Sequence, residues 1–510
     1  MASYSNTPFE VVRPDEKIPA KVTNRLPDKN KIIRSSTVER ATPTSQASIN
    51  WDAGTPSSTN FNISSKGFFM DPDNASLCFS VKVRKMAGAA NTVWDPTTLK
   101  LPVLQNVLAL IASAQLKVGG ITTDDIMNVE ASTKQELLVG TAEPWYNTVG
   151  YNQMKLWDHA ATATATKKEV GQIQVTATPN GLQVADGLFA RYLDAVKIYY
   201  DVSTPATPVS LKVHCELPLS MLFGLFRMEQ YIPLAFLNGM EITLNWAPVQ
   251  QCLFCPNKAE AATGVLSLEL EKLRVIYRAI ELEPRILALF KEIVEKDEQG
   301  LPLPFDTKAS TVSIVQASAA GTLDLAVSRS SPYVKNVYVA RRPGDCNNNM
   351  TVLNSGFPCD GLKGAQLNIQ SIHVPNYGPA EGIDLMNVSL QGGHGSSACN
   401  SLMSYPFSYK DYYGNNTFCT PSKGSYALED GFEISNGTMV VNFSLEKDID
   451  SEYDLDGLDS SALGATFNIT LPEDQIVGGT AGNAATRSVL TTFKYLRILT
   501  LKNGVISIAG

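Results

Sequence analysis

Charged residues are scarce. Asp, Glu, Lys and Arg make up 18% of the 510 residues, beside 44% hydrophobic ones, 28 Pro and 35 Gly. That composition describes many short strands and tight turns and argues against a helix bundle. The net charge of −8 gives no overall attraction to nucleic acid, so no sequence-specific nucleic-acid partner is expected. Histidine is rarer still: His159, His214, His373 and His394 stand apart with no metal-spaced pair, which predicts structural roles. The eight cysteines, Cys78, Cys215, Cys252, Cys255, Cys346, Cys359, Cys399 and Cys419, are spread too thinly for a disulfide framework. Cys252-Leu-Phe-Cys255 is a lone CxxC whose nearest fellows are Cys215 and Cys346. Zinc takes four ligands, and no βαβ context surrounds the pair, so free thiols are expected rather than a metal or redox site.

Long apolar runs are missing as well. Leu101–Val118 and Leu217–Phe226 are interrupted by polar residues, Gly or Pro and fall short of the roughly 20 residues that span a bilayer. The first 40 residues carry charge throughout, so no secretory leader is read and a soluble chain made in a cytosol-like compartment is expected. In that setting the sequons at Asn62, Asn387, Asn436 and Asn468 read as chance in an Asn/Thr-rich chain, with glycosylation the open alternative. No phosphate-cradling Gly-X-X-X-X-Gly-Lys and no dinucleotide fingerprint occurs. Gly392-Gly-His-Gly-Ser-Ser lacks the strand-turn-helix setting that activates a serine. The acidic run Glu446–Asp459 comes nearest to a metal site, since Glu452, Asp454, Asp456 and Gly457 match calcium-loop spacing; Leu463 then stands where a bidentate Glu is required. No catalytic residue, metal ligand or cofactor is therefore expected, and the chain does not read as an enzyme.

What is present is strand pattern, twice. A length of 510 residues exceeds one ordinary core and predicts two to three domains. Leu77, Phe79, Val81 and Val83 alternate with polar neighbours, as in a strand with one buried face. Asn238-Gly239 lies between Ile232–Leu237 and the alternating Met240, Ile242, Leu244 and Trp246, which predicts a hairpin because both turn residues tolerate positive φ. The chain then restarts with the run Leu266–Leu282, a helical pattern over Pro284–Gln299 and a further strand pair within Leu323–Val339. A second Asn-Gly, Asn503-Gly504, follows Leu501-Lys502 and precedes Val505–Ile508, 265 residues after the first. So long a period points to duplication of a whole domain rather than to a solenoid. The expected organisation is an N-terminal arm (1–60), a first β unit (61–250), a linker (251–264) and a second β unit (265–510).

Three stretches resist a single assignment. Thr122–Leu138 is polar and acid-rich, helix or loop; residues 157–180 read as exposed loop or edge hairpin; Phe189–Val202 passes from helical spacing into strand. In Pro284–Gln299, Pro284 suits a first turn, and Ile286, Leu287, Leu289, Phe290, Ile293 and Val294 form a face expected to pack on a β domain. Arg341–Gly364 and Gly392–Tyr426 are irregular stretches of a length that is uncommon without function. Residues 1–40 hold eight basic side chains (Arg13, Lys17, Lys21, Arg25, Lys29, Lys31, Arg34 and Arg40) against five acids, a net of +3 on a remainder of −11. Such an arm either tucks along its own subunit or orders on contact with a partner.

The series Leu273-Arg-Val-Ile-Tyr277, Glu283-Pro-Arg-Ile-Leu287, helix, then Arg329-Ser-Ser-Pro-Tyr-Val-Lys-Asn-Val-Tyr-Val339 resembles the opening of the second barrel in double jelly-roll major capsid proteins. These belong to DNA viruses of the nucleocytoplasmic large DNA virus, virophage and polinton-like virus group. Pro218–Leu244, with Ile232-Pro-Leu234, is similar to the end of their first barrel, and Tyr495–Ala509 to their final strand. The resemblance implies an all-β chain of two consecutive eight-stranded jelly-roll barrels (a double jelly roll), with short helices and long loop insertions forming outward towers. It further implies a homotrimeric, pseudo-hexagonal capsomer tiling an icosahedral capsid in the virion, made and assembled inside the host cell. The partners would be the chain itself, neighbouring capsomers, minor capsid or vertex proteins and an inner membrane, the last two met through Arg13, Lys17, Lys21, Arg25, Lys29, Lys31 and Arg34. A different class remains open: a β-sandwich lectin or host-attachment protein binding glycan through its long loops, with Tyr405, Tyr409, Tyr412 and Tyr413 near Asn415 and Asn416.

Overall fold

The computed structural model describes residues 33–44, 48–51, 58–64, 67–86, 101–140, 153–155, 176–178, 181–183, 195–203, 208–228, 230–255, 265–296, 300–316, 321–331, 333–343, 350, 364–381, 440–445, 457–461, 466–473 and 486–509; residue 332 is excepted. Sixteen strands among them form two sets of eight. The first set is β1 (Ile33–Ala41), β2 (Thr59–Ile63), β3 (Phe69–Met86), β4 (Ile111–Val118), β5 (Ile121–Met127), β6 (Lys212–Pro218), β7 (Met240–Trp246) and β8 (Val265–Leu282). The second is β9 (Leu301–Gln316), β10 (Gly321–Ser328), β11 (Val334–Pro343), β12 (Gly364–Ile369), β13 (Ile372–Val374), β14 (Val441–Ser444), β15 (Thr466–Glu473) and β16 (Thr486–Lys502).

Their pairing is the same in both sets. The first makes two antiparallel sheets ordered β1-β8-β3-β6 and β2-β7-β4-β5, the second β9-β16-β11-β14 and β10-β15-β12-β13. Counted from its own first strand, each set reads 1-8-3-6 and 2-7-4-5. Eight strands in two facing Greek-key sheets make a jelly roll, so the chain is a double jelly roll. Period-2 patterning builds it: Leu77, Phe79, Val81 and Val83 of β3 and Met240, Ile242, Leu244 and Trp246 of β7 all point into the first core. There the Trp246 indole N–H donates to Thr59 Oγ1 at 2.8 Å. In the second core Phe467 and Phe493 meet edge-on across the sheets at 4.9 Å.

Several expectations are corrected. Val265–Leu282, expected to open the second unit, is the eighth strand of the first, because both its edges are filled by β1 and β3. Residues 33–41 and 49–51 of the expected arm are strands paired with β8. Within the expected linker, Leu253 and Phe254 pair with Leu104 and Val103, and Cys252 and Cys255 are buried in the first core. Asn238-Gly239 turns into β7 but closes no hairpin. Strand β7 already has β2 and β4 on its two edges, and Ile232 instead exchanges backbone hydrogen bonds with Met70 at 2.8 and 2.9 Å. Asn503-Gly504 does close one: both residues have positive φ, 51° and 72°, and Lys502 faces Val505 of β17 (Val505–Ala509).

Two longer helices accompany the barrels, α1 (Val129–Gly140) and α2 (Pro284–Lys296). Ile286, Leu287 and Phe290 of α2 pack on Phe69, Ile280 and Leu282 at the end of the first barrel, whereas Ile293 stays 38% exposed.

Candidate functional site at the seam between the barrels

Helix α1 occupies the place where the two barrels meet, and it carries no apolar stripe. Val129 to Gln135 are buried on every side, so polar residues here face protein rather than water. Each is paired accordingly. Glu130 lies 3.3 Å from Lys134 one turn on, both fully enclosed, and accepts from Asn106 Nδ2 at 2.8 Å. Gln135 donates to the Leu490 carbonyl at 3.2 Å and accepts from Thr492 Oγ1 at 2.6 Å, tying α1 to β16 of the second barrel.

Glu136 is the hub. Arg227, from the 3-10 turn Gly224–Arg227, grips both its oxygens at 3.0 and 2.9 Å, and Lys308 of β9 donates to it at 2.8 Å and to Thr133 Oγ1 at 2.8 Å. Burial alone would push the Glu136 carboxyl up; the two cations outweigh it and hold it far below the usual carboxylate range. Burial lowers Lys308 to about 8 despite Glu136. On the second barrel's side of the seam, Asp306 of β9 faces Lys335 of β11 at 2.8 Å and Lys494 of β16 at 3.3 Å within one sheet. Burial raises its carboxyl, but Lys494 and Lys335 bring it down on balance.

The edge strands β5 and β9 lie side by side and are joined through side chains. Asp124 accepts from Thr307 Oγ1, Arg497 of β16 donates to the Thr123 carbonyl, and Ser310 Oγ donates to the Met127 carbonyl at 2.7 Å. Each barrel thereby covers an edge of the other. The backbones also come close: a Cβ on Gly224 would sit 1.9 Å from the Asp306 carbonyl oxygen, and one on Gly119 2.2 Å from Ile506 Cδ1. Beside the seam, Arg329 and Arg497 lie over the Tyr495 ring at 4.6 and 5.4 Å. This arrangement is mechanical in its chemistry: buried paired charges, together with Leu303, Phe305, Leu499, Leu501 and Ile506 of the second barrel packed into the first core, fix one barrel against the other.

Of the residues proposed from sequence for partner contact, Arg34 alone is among those described. Arg34 lies in β1, ion-paired at 3.0 Å with Glu281 in a solvent-exposed pair of small energetic worth. Arg13, Lys17, Lys21, Arg25, Lys29 and Lys31 lie outside the described residues, as do the tyrosines near Asn415, the Gly392 run and all of Glu446–Asp459 before residue 457. His214 shares a hydrogen bond with Ser80 at 2.9 Å and His373 with Asn368 at 2.6 Å. Cys78, Cys215 and Cys252 are free thiols; burial pushes Cys78 up to about 11 and Cys215 to about 12. The seam went unseen in the sequence because a helix enclosed on all sides has no amphipathic period. The one signal on offer was the Glu130/Lys134 spacing within an otherwise polar stretch.

No protein-family model matches the sequence, and no curated protein is similar to it in sequence. Solved structures do match in fold. A chain from the cryo-EM structure of the Sputnik virophage aligns with a TM-score of 0.56 at 12% identity, covering 98% of this chain and 92% of that one. The Faustovirus major capsid protein aligns with a TM-score of 0.51 at 11% identity, covering 92% and 90%. At such identities the likeness is one of fold: the double jelly roll of viral major capsid proteins.

Proposed function

We propose that this chain is a viral major capsid protein, and that its two barrels form one third of a homotrimeric, pseudo-hexagonal capsomer. The observation that carries the reading is the same eight-strand order used twice in one chain, with the two barrels joined through a buried ionic seam. In this reading the building blocks are residues 33–282 and 301–509. Three copies around a threefold axis present six similar barrels in a ring, a near-hexagonal tile suited to the flat facets of an icosahedral shell. Contacts of this kind are heterologous and close on themselves, and obligate ones typically bury more than about 2,000 Å². The fold shared with the Faustovirus major capsid protein supports the assignment.

The chain acts by assembling rather than by catalysis, in the shell of a virion put together within the host cell. Its basic arm, Arg13, Lys17, Lys21, Arg25, Lys29, Lys31 and, at its root, Arg34, reaches the inner face to meet minor capsid or vertex proteins or a membrane. Native mass measurement across a concentration series is the test: three times the 55.2 kDa chain mass is expected, together with hexagonal arrays by negative-stain imaging. A chain that stays monomeric at every concentration overturns the tile. For the arm, removal of residues 1–31 is expected to leave the trimer intact and to abolish capture of the inner-face partner; unchanged capture refutes that role.

A further inference from the structure

We propose that the seam is proton-linked: Asp124 takes up a proton as the two barrels close on each other and releases it as they part. Asp124 is fully enclosed, on edge strand β5 where the barrels meet. One oxygen accepts from Thr307 of the other barrel, and Oδ2 has no hydrogen-bond partner. An ionised carboxylate offers about four acceptor sites, and leaving an oxygen bare in the interior is costly. Protonation removes the charge and so lifts that cost.

The groups around Asp124 decide the sign. Strand β4 faces it with Leu116, which does not titrate. The turn Gly224–Arg227 brings the Gly224 amide and Arg227, but Arg227 is bound bidentate to Glu136. Strand β16 brings Arg497, which donates to the Thr123 carbonyl, and the Tyr495 phenol. Strand β9 brings Thr307 and Lys308, itself held by Glu136. Burial outweighs Thr307, Arg497, the Gly224 backbone amide and Arg227, so the carboxyl is held above its ordinary value. Glu136 and Asp306 are held below theirs and stay ionised in the same range.

An acid whose value is raised in the closed form favours that form when protonated. Its contribution is full at low pH and declines as pH rises from the ordinary carboxylate value through its own. Acidification therefore tightens the seam, an unusual direction for a buried carboxylate cluster.

Hydrogen–deuterium exchange of the unassembled full-length chain tests this independently of any capsid role. Peptides covering 121–140 are followed from pH 4.5 to 7.5, corrected for intrinsic exchange and referenced to β3 of the same chain. In the wild type, protection of the seam peptides is expected to rise as pH falls, by up to about tenfold per pH unit within the window. Asp124→Asn should hold high protection throughout with no step. Arg497→Gln removes a cation that opposes proton uptake, so its step should move to higher pH; it also decides the matter if the first variant does not fold. A wild type without a step, a step retained in Asp124→Asn, or one that fails to move upward in Arg497→Gln overturns the proposal.

Discussion

Replacing Glu136 by Gln keeps the shape of the seam hub and removes its charge, leaving Arg227 and Lys308 facing one another across a neutral amide. Stripping one partner from a buried ion pair typically costs about 3–5 kcal/mol, and two cations depend on this one. Lys308 sets a partial limit. It titrates at about 8 rather than 10.5 even with Glu136 in place, which at about 1.4 kcal/mol per tenfold in proton affinity already represents roughly 3 kcal/mol of burial cost at pH 7. Without the carboxylate it sheds its proton near neutrality, so its own share grows by only about 1–2 kcal/mol. Arg227 has no such escape, and must draw water into the seam or part the barrels. A loss of about 3–5 kcal/mol is thus expected. It is measurable by urea unfolding, with fluorescence of the five tryptophans, all before residue 282, following the N-terminal part of the chain and exchange of 121–140 following the seam, the latter giving way first. Replacing Glu136, Arg227 and Lys308 together by Leu, Met and Met should recover most of the loss, since no charge is then stranded. A Glu136→Gln variant within about 1 kcal/mol of wild type would falsify the account of the seam, because a paired buried hub cannot be lost at that cost.

The other predictions are smaller. Between about pH 8 and 10.5 the folded chain has released the Lys308 proton while the unfolded chain still holds it, so stability from this group increases with pH across that window; Lys308→Met should abolish that increase in a melting-temperature series. Gly224→Ala places a Cβ 1.9 Å from the Asp306 carbonyl oxygen, so a loss of about 1–3 kcal/mol from overpacking is expected, and an unchanged melting temperature would contradict the close approach. Trp246→Phe loses the 2.8 Å bond to Thr59 and leaves a cavity, for about 1–3 kcal/mol in equilibrium unfolding; no loss would mean that the indole N–H is not used.

Where local chemistry decides, the sequence was readable. Alternation in Leu77–Val83 specified a strand and its buried face, and Asn503-Gly504 specified a two-residue turn, because neither depends on distant partners. Pro284 opened α2 where expected, and the helix is described to Lys296. Choice of partner was not readable. Asn238-Gly239 has the same local chemistry as Asn503-Gly504, yet β7 is already flanked on both sides, so the residues before the turn pair elsewhere. Likewise, Val265–Leu282 was recognisable as a long strand, but only its pairing places it in the first barrel. The seam was hidden for a further reason. Hydrophobic period marks elements half in water, and Thr122–Leu138 contains an edge strand and a helix whose neighbours are mostly protein.

A contact of apolar packing alone is indifferent to which similar surface supplies it; one that also encloses matched charges is not. Were a barrel from a different copy to dock in the place of the proper one, even slightly out of alignment, Glu136 or Lys308 would be enclosed without its counter-ion, at several kcal/mol. In any crowded assembly of near-identical barrels, this ionic lining lets each barrel recognise its own sibling.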